Sequence, residues 1–182
     1  MQDYILEIRK FFPKNLCEKI INYYDNDDMA DATTVGGLNK DIRNCISANV
    51  HITNSFGQKI ISNLVKQKLW EAINVYKEKF SYCNVRQNSA IDFLKYEKNS
   101  HKAGYKFHTD YGHTVPLREL SASVCLNNDY QGGEFVFDLP SGKVQYPQNF
   151  GDVIIFPSNF MYPHQVNEIA KGTRYAIIGW FA

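Results

Sequence analysis

Long apolar runs are missing from this sequence of 182 residues. No uninterrupted hydrophobic stretch approaches the ~20 residues that a helix needs to cross a bilayer. Near the N-terminus, Asp3 precedes a short apolar stretch, which is the reverse of the order in a secretory signal. We therefore expect a cytoplasmic protein with no membrane partner.

An excess of charge of one sign is missing as well. Lys and Arg number 20 against 19 Asp and Glu, which leaves a formal net charge of +1. Proteins that bind nucleic acid or an anionic membrane surface usually carry a marked basic excess. The balance of charge therefore argues against a nucleic-acid partner.

Closely spaced cysteines are also absent. No C-x-x-C pair occurs among the four cysteines, which are Cys17, Cys45, Cys83 and Cys125. Structural zinc sites and redox motifs use close spacing, and disulfide frameworks are typical of small secreted domains. We interpret the four residues as reduced thiols that mostly serve as small core hydrophobes.

What the sequence does contain suits one folded domain. Its 44% hydrophobic and 14% aromatic residues are enough for a core, and a domain usually takes about 100–200 residues. No linker, low-complexity segment or internal repeat divides the chain. We expect a single domain over residues 1–182, with a helical support region over 1–82 and a β-rich core over 83–182.

The pattern of apolar residues changes between these two regions. In the first region they recur at helical three- and four-residue steps, most clearly at Ile61, Leu64, Val65, Leu69, Ala72, Ile73, Tyr76 and Phe80. After Cys83, short β-rich runs alternate with Gly, Pro, Asn and Asp turns, which indicates a sandwich or barrel. The predicted fold is mainly β with N-terminal helices, and its core is a double-stranded β-helix (jelly roll) of about eight antiparallel strands in two sheets.

Three residues of the β-rich region form a candidate metal site. His108 and Asp110 lie two apart in a predicted strand, so both side chains can point to one face. Alone, this H-x-D pattern is weak and is better explained as a surface histidine near an aspartate. His164 opens a later predicted strand, and two histidines with one carboxylate form the facial triad of non-haem Fe(II) oxygenases. Arg174, ten residues after His164, has the planar fork that suits a dicarboxylic cosubstrate.

The order and spacing of these motifs resemble the 2-oxoglutarate- and Fe(II)-dependent dioxygenases of the prolyl 4-hydroxylase type. Among them, the small PKHD-type hydroxylases are the most similar. The resemblance covers residues Asp92 to Phe181. Its strings are Y-K-F-H-T-D (105–110), L-S-A-S-V-C-L-N (120–127), Y-Q-G-G-E-F (130–135), G-D-V-I-I-F-P-S (151–158) and H-Q-V-N-E-I-A-K-G-T-R-Y-A (164–176), followed by Trp180.

The resemblance assigns a role to each residue of the candidate site. It makes His108, Asp110 and His164 the ligands of Fe(II), and it makes Arg174 the partner of the distal carboxylate of 2-oxoglutarate. Halogenating relatives replace the carboxylate ligand with a small residue. The presence of Asp110 therefore favours hydroxylation.

Four further pocket residues follow from the same resemblance. Tyr96 matches a family tyrosine that hydrogen-bonds the cosubstrate, and Trp180 matches an aromatic residue near the metal and the substrate. At the position of Cys125, some relatives carry a tyrosine that shares the distal carboxylate with the arginine. We therefore expect the cosubstrate to depend more heavily on Arg174 here, with Ser123 or a water molecule assisting.

Strand alternation makes two further predictions about which side chains face the pocket. Alternation along residues 173–181 places Arg174 and Trp180 on one face, whereas Lys171, the alternative cation, directly precedes a turn glycine and is expected in solvent. Alternation along residues 105–110 places Tyr105 on the face opposite His108. This position favours core packing of Tyr105 over a role in the chemistry.

The resemblance implies an enzyme that uses Fe(II), 2-oxoglutarate and O₂, with ascorbate as reductant. It would hydroxylate a substrate C–H bond and release succinate and CO₂. The expected substrate is a prolyl or other residue of a peptide or protein, and the alternative substrates are small molecules or free amino acids. A non-catalytic jelly-roll binding or structural protein is the competing class, but it would not need the triad and the arginine together. A cupin isomerase would usually show more histidines and a glutamate.

Overall fold

The computed structural model describes residues 4–25, 28–34, 36–97, 102–112 and 118–182. Its helices are α1 (Lys14–Tyr24) and α2 (Phe56–Lys79). Its strands are β1 (Leu6–Ile8), β2 (Ala30–Asp31), β3 (Arg43–Asn44), β4 (Ile46–Asn49), β5 (Asn88–Glu97), β6 (Gly104–His108), β7 (Leu120–Cys125), β8 (Gln131–Gly132), β9 (Phe135–Leu139), β10 (Gly142–Tyr146), β11 (Val153–Pro157), β12 (His164–Val166), β13 (Ile169–Lys171) and β14 (Thr173–Phe181). In this part of the chain, neither helix is long and apolar enough to cross a membrane.

Two antiparallel sheets form the core, as the sequence predicts. The larger sheet has the strand order β1-β11-β7-β14-β5-β4-β2, and the smaller has the order β10-β9-β12-β6-β3. Four strands of each sheet come from the chain after residue 83, which gives the eight-stranded jelly roll. A short pair, β8 and β13, lies outside the two sheets.

The two faces of the larger sheet pack against different parts of the molecule. On one face, Phe93 and Ile177 join Leu69 of α2 in an apolar core between sheet and helices. Their strand neighbours Leu94 and Ile178 point the other way and belong to a second core between the two sheets. Successive side chains of a strand point to opposite faces, so the two cores bury both faces of these strands. The sequences of these strands are therefore continuous apolar runs.

Helix α2 is the main support of the larger sheet. It begins after Ser55, whose hydroxyl accepts a hydrogen bond from the backbone N–H of Gln58 and so caps the helix. The predicted apolar stripe is buried from Ile61 to Tyr76 except at Leu64, which is exposed. The helical expectation for this segment is therefore correct, with an earlier start than the periodicity indicated.

The sequence predicted a helical support region over residues 1–82. The structure differs, because this region also contributes strands β1 to β4. Strand β1 pairs with β11 at one edge of the larger sheet, and β4 pairs with β5 towards the other edge. Strand β3 pairs with β6, which carries His108. This pairing brings the first half of the chain next to the candidate metal site.

Candidate metal centre

Strands β6 and β12 bring the two predicted histidine ligands together. They are antiparallel neighbours in the smaller sheet, and His164 lies directly opposite His108. Asp110 follows two residues after His108, beyond the end of β6. One ligand atom from each of the three side chains lies within 4.8 Å of the others, and no other such cluster of His, Cys, Asp and Glu occurs in the described ranges.

Hydrogen bonds to backbone carbonyls orient both imidazole rings. The Nδ1 atom of His108 lies 2.8 Å from the Lys106 carbonyl oxygen, and Nδ1 of His164 lies 3.0 Å from that of Tyr162. Because a carbonyl only accepts, each Nδ1 carries the proton and each Nε2 keeps its lone pair. The two Nε2 atoms lie 3.6 and 3.7 Å from oxygens of Asp110. The lone pairs and the carboxylate thus face one point.

His164 and Asp110 are in the charge states that metal binding requires. Burial lowers the pKa of His164 to about 4, with the Asp110 carboxylate opposing the shift, so this ring is neutral at pH 7. Burial also opposes ionisation of Asp110, but His164, His108 and the Ser121 hydroxyl together hold its pKa well below the usual range. The Ser121 hydroxyl donates a 2.6 Å hydrogen bond to Oδ2 of Asp110. Neutral imidazoles and an ionised carboxylate are the forms that bind a metal.

Arg174 lies in the same cavity as the three candidate ligands. Its side chain is only 1% exposed, and Nη2 donates a 2.7 Å hydrogen bond to Oε1 of Gln148. Its Nε is buried without a hydrogen-bond partner, and none of the ion pairs in the described part of the chain includes this residue. A buried guanidinium without a carboxylate partner is costly, and the hydrogen bonds of Arg174 with Gln148 and Tyr130 satisfy only part of its donors.

The other cation is placed as predicted. Lys171 is exposed on β13, and the following Gly172 has φ of +77°. A backbone turn with positive φ is one that glycine adopts without strain, and Lys171 is not among the described residues that line the cavity with Arg174.

Three of the four other predicted pocket residues line this cavity. They are Tyr96, Ser123 and Trp180. Cys125 is not among the described residues of the cavity wall, because its thiol contacts the Asn127 carbonyl oxygen at 3.1 Å and the Tyr130 hydroxyl at 3.2 Å. A direct contact of Cys125 with a cosubstrate in this cavity is therefore not supported.

The expectation that Tyr105 is a core residue facing away from His108 is wrong. Tyr105 lines the cavity, and its ring stacks on the His108 imidazole with a centroid separation of 3.4 Å. The cause is an irregularity in the pairing of β6 with β12. Three residue steps on β6, from Tyr105 to His108, match two steps on β12, from Val166 to His164. Such a bulge interrupts the alternation of the strand and brings Tyr105 to the His108 side.

Several residues that contact the site were not predicted from the sequence. Ser121 and Gln148 hydrogen-bond to Asp110 and Arg174, and Arg43 and Phe135 line the cavity. Only Ser121 gave a sequence signal, since it lies four residues before Cys125 on the same face of β7. The other three come from separate elements whose approach is decided by long-range pairing.

Comparison with known proteins links this geometry to a family. A family model described as the 2OG-Fe(II) oxygenase superfamily matches residues 91–182. A PKHD-type hydroxylase of Crocosphaera subtropica is 31% identical over 97 residues, which cover 50% of this chain and 41% of that protein. A PKHD-type hydroxylase of Idiomarina loihiensis is 25% identical over 177 residues, which cover 97% of this chain and 76% of that protein.

Solved structures share the fold over nearly the whole chain. A prolyl-4-hydroxylase of Pseudomonas putida has a TM-score of 0.78 and 18% identity, covering 99% of this chain and 93% of that one. A prolyl hydroxylase of Trichoplax adhaerens, solved with a peptide fragment of hypoxia inducible factor, has a TM-score of 0.77 and 18% identity, covering 99% and 84%. At this level of identity, the likeness confirms the jelly-roll fold.

Proposed function

The chain belongs to the 2OG-Fe(II) oxygenase superfamily, and from that premise we propose that it hydroxylates a residue of a peptide or protein, with proline as the first candidate. The observation that carries the proposal is the convergence of His108, Asp110 and His164 with an unpaired, buried Arg174 in one cavity. A binding or structural protein would gain nothing from burying an arginine without an anion.

The residues present fit Fe(II) and 2-oxoglutarate. Two imidazole nitrogens and one carboxylate are the donor set of non-haem Fe(II) oxygenases, and His164 and Asp110 are already in their metal-binding charge states. The buried Nε of Arg174 lacks a partner, and a carboxylate of a dicarboxylic acid would supply one. In this proposal the triad holds the metal, and Arg174 binds the far end of the cosubstrate.

The chain itself contributes orientation, charge and exclusion of water. Lys106 and Tyr162 fix the imidazole rings through their carbonyls, and Ser121 fixes the carboxylate of Asp110. Apolar side chains, among them Phe135 and Ile178, line the cavity and limit its hydration. When bound, the iron with 2-oxoglutarate and O₂ supplies the oxidation that releases succinate and CO₂ and places a hydroxyl group on the substrate.

Two similarities support a peptide substrate. Two solved structures of similar fold are named prolyl hydroxylases, and the one from Trichoplax adhaerens contains a peptide. In addition, Tyr111 is exposed and lines a cleft that also contains Asp110. Exposed apolar side chains at the rim of a cavity are suited to contact a chain that lies across it.

A succinate-release screen tests the proposed function. The protein would be assayed with Fe(II), 2-oxoglutarate and ascorbate against proline peptides, free amino acids and oligonucleotides, with the Asp110→Ala variant as the control. We expect a proline peptide to raise succinate release above the substrate-free rate and to gain the mass of one oxygen atom. Stimulation by a free amino acid alone would refute the peptide assignment, and no release under any condition would favour the binding-protein class.

A further inference from the structure

A second cleft opens beside the metal-site cavity, and its walls carry charge. We refer to it as the charged cleft; its lining includes Arg43, Asp92, Tyr105, Asp110, Arg118 and Trp180. Four of these residues, Arg43, Tyr105, Asp110 and Trp180, also line the metal-site cavity. A substrate that reaches the metal centre from this side therefore passes along these side chains.

Each arginine of the charged cleft contacts its own aromatic ring and its own backbone carbonyl, which hold it in place. The guanidinium carbon of Arg118 lies 3.8 Å from the ring centroid of Trp180, and Nη1 donates to the Asp110 carbonyl oxygen at 3.3 Å. The corresponding carbon of Arg43 lies 4.9 Å from the Tyr105 centroid, and its Nη1 donates to the Thr33 carbonyl oxygen at 2.9 Å. Stacking fixes the plane of each fork without using its N–H donors.

The donors of these two arginines are only partly used. The Nε atoms of Arg43 and Arg118 are both buried without a hydrogen-bond partner among the described residues. Arg43 also interacts with the thiol of Cys45, which is a weak acceptor. A stacked arginine with a purely structural role would gain nothing by leaving buried donors unpaired, since each one costs free energy.

The carboxylate of Asp92 does not neutralise the pair. It accepts a 3.3 Å hydrogen bond from Asn49, and no ion pair in the described ranges joins it to Arg43 or Arg118. Burial raises the pKa of Asp92, and the charges of both arginines oppose that rise, so all three groups share one electrostatic environment. Asp110, the second carboxylate of the cleft, is a candidate metal ligand, so its charge would be offset by the bound metal. Arg43 and Arg118 against Asp92 then leave one positive charge facing the cleft.

We propose that the charged cleft binds a carboxylate of the substrate, so that the preferred peptide carries an acidic side chain or a free C-terminus beside the residue that is hydroxylated. The inference rests on the proposed function and names the substrate class of the same site. A planar carboxylate matches the fork of an arginine, and two forks with unused donors surround the cleft. A neutral proline-rich peptide would leave those donors unpaired.

The test compares matched peptides that differ in one charge. One peptide has Glu beside the target proline, a second has Gln there, and both are amidated; a third has Gln and a free C-terminus close to the proline. Binding is measured by tryptophan fluorescence on protein loaded with Zn²⁺ and 2-oxoglutarate, because Zn²⁺ is not redox-active and no turnover occurs. We expect the peptides with a carboxylate to bind about 10–100-fold more tightly than the neutral one, as for hydrogen bonds to a charged group.

Variants of the cleft should change this preference in both directions. Arg118→Gln and Arg43→Gln should each reduce the Glu-to-Gln preference, while Asp92→Asn should increase it by removing a repulsive charge. Arg86→Gln is the matched control, because it removes an exposed guanidinium that lines neither the cavity nor the charged cleft. Zn²⁺ and 2-oxoglutarate affinities, measured for every variant, show whether the metal site is intact.

Equal binding of all three peptides to the wild type would overturn the inference, and so would failure of every carboxylate peptide to bind. A preference for the free C-terminus over Glu would assign the carboxylate to the chain end, and the reverse would assign it to a side chain. Failure of the proposed function is separate: it would appear as no succinate release with Fe(II)-loaded protein, even where the Zn²⁺-loaded protein discriminates between Glu and Gln.

Discussion

Replacing Arg174 by methionine separates a ligand anchor from a structural residue. The substitution keeps most of the side-chain volume and removes the charge of a residue that is 1% exposed and has an unpaired Nε. If Arg174 binds the distal carboxylate of 2-oxoglutarate, Arg174→Met should weaken that binding strongly. If the arginine only supports the fold, its loss should appear in the stability of the ligand-free protein.

The size of the two effects can be estimated from the contacts. Removing one partner of a buried, hydrogen-bonded charge pair costs about 2–5 kcal/mol, which is roughly a 30- to 4,000-fold loss of affinity. In the ligand-free protein, Arg174 has no carboxylate partner, and a buried charge can often be replaced by an apolar residue without loss. The main losses are its hydrogen bonds with Gln148 and Tyr130, so we expect the free energy of unfolding to change by about 1–3 kcal/mol.

The assay combines urea unfolding of the ligand-free protein with titration of 2-oxoglutarate into the Zn²⁺-loaded protein. Lys171→Met is the control, because Lys171 is exposed on β13 and should affect neither quantity. Zn²⁺ affinity should be unchanged in both variants, since neither residue is a candidate ligand. A loss of 2-oxoglutarate affinity in Lys171→Met, with normal affinity in Arg174→Met, would refute the assignment of the anchor.

Four further predictions concern the metal centre and its support. Asp110→Ala removes a candidate ligand and should abolish substrate-coupled succinate release; full activity would contradict the triad. Ser121→Ala removes the 2.6 Å hydrogen bond to Asp110 and should weaken metal binding by about 10–100-fold in competition with a metal indicator, whereas unchanged affinity would mean that the hydroxyl does not orient the ligand. Because burial lowers the pKa of His164 from 6.5 to about 4, the unfolded chain binds the proton first, and the metal-free protein should lose stability as the pH falls from 6.5 towards 4. Urea midpoints across that range check this, and His164→Gln should flatten the dependence. Leu69→Ala creates a cavity under the larger sheet and should cost about 2–5 kcal/mol of unfolding free energy, with unchanged 2-oxoglutarate affinity per folded molecule; a parallel loss of affinity would show that α2 also shapes the site.

The sequence alone predicted the fold class from local spacing, and it predicted the candidate ligands from local spacing together with the order of motifs that carries the family resemblance. Short alternating runs between turns identify strands, and a two-residue step places His108 and Asp110 on one side. The order of motifs after residue 91, which the family model also matches, added His164 and Arg174. Helix α2 was predictable for the same reason, since its apolar positions recur at three- and four-residue spacing along the sequence.

Only the tertiary structure decided the rest of the site. The register between β6 and β12 brought Tyr105 to the metal side, against the simple alternation. The pairing of β3 with β6 placed Arg43 at the cavity, although more than sixty residues separate it from the nearest candidate ligand in the sequence. Arg118 and Asp92 meet it there from two other elements. Periodicity records which face a side chain occupies relative to its own strand, but the pairing of distant strands and the bulges within them decide which side chains share a cavity.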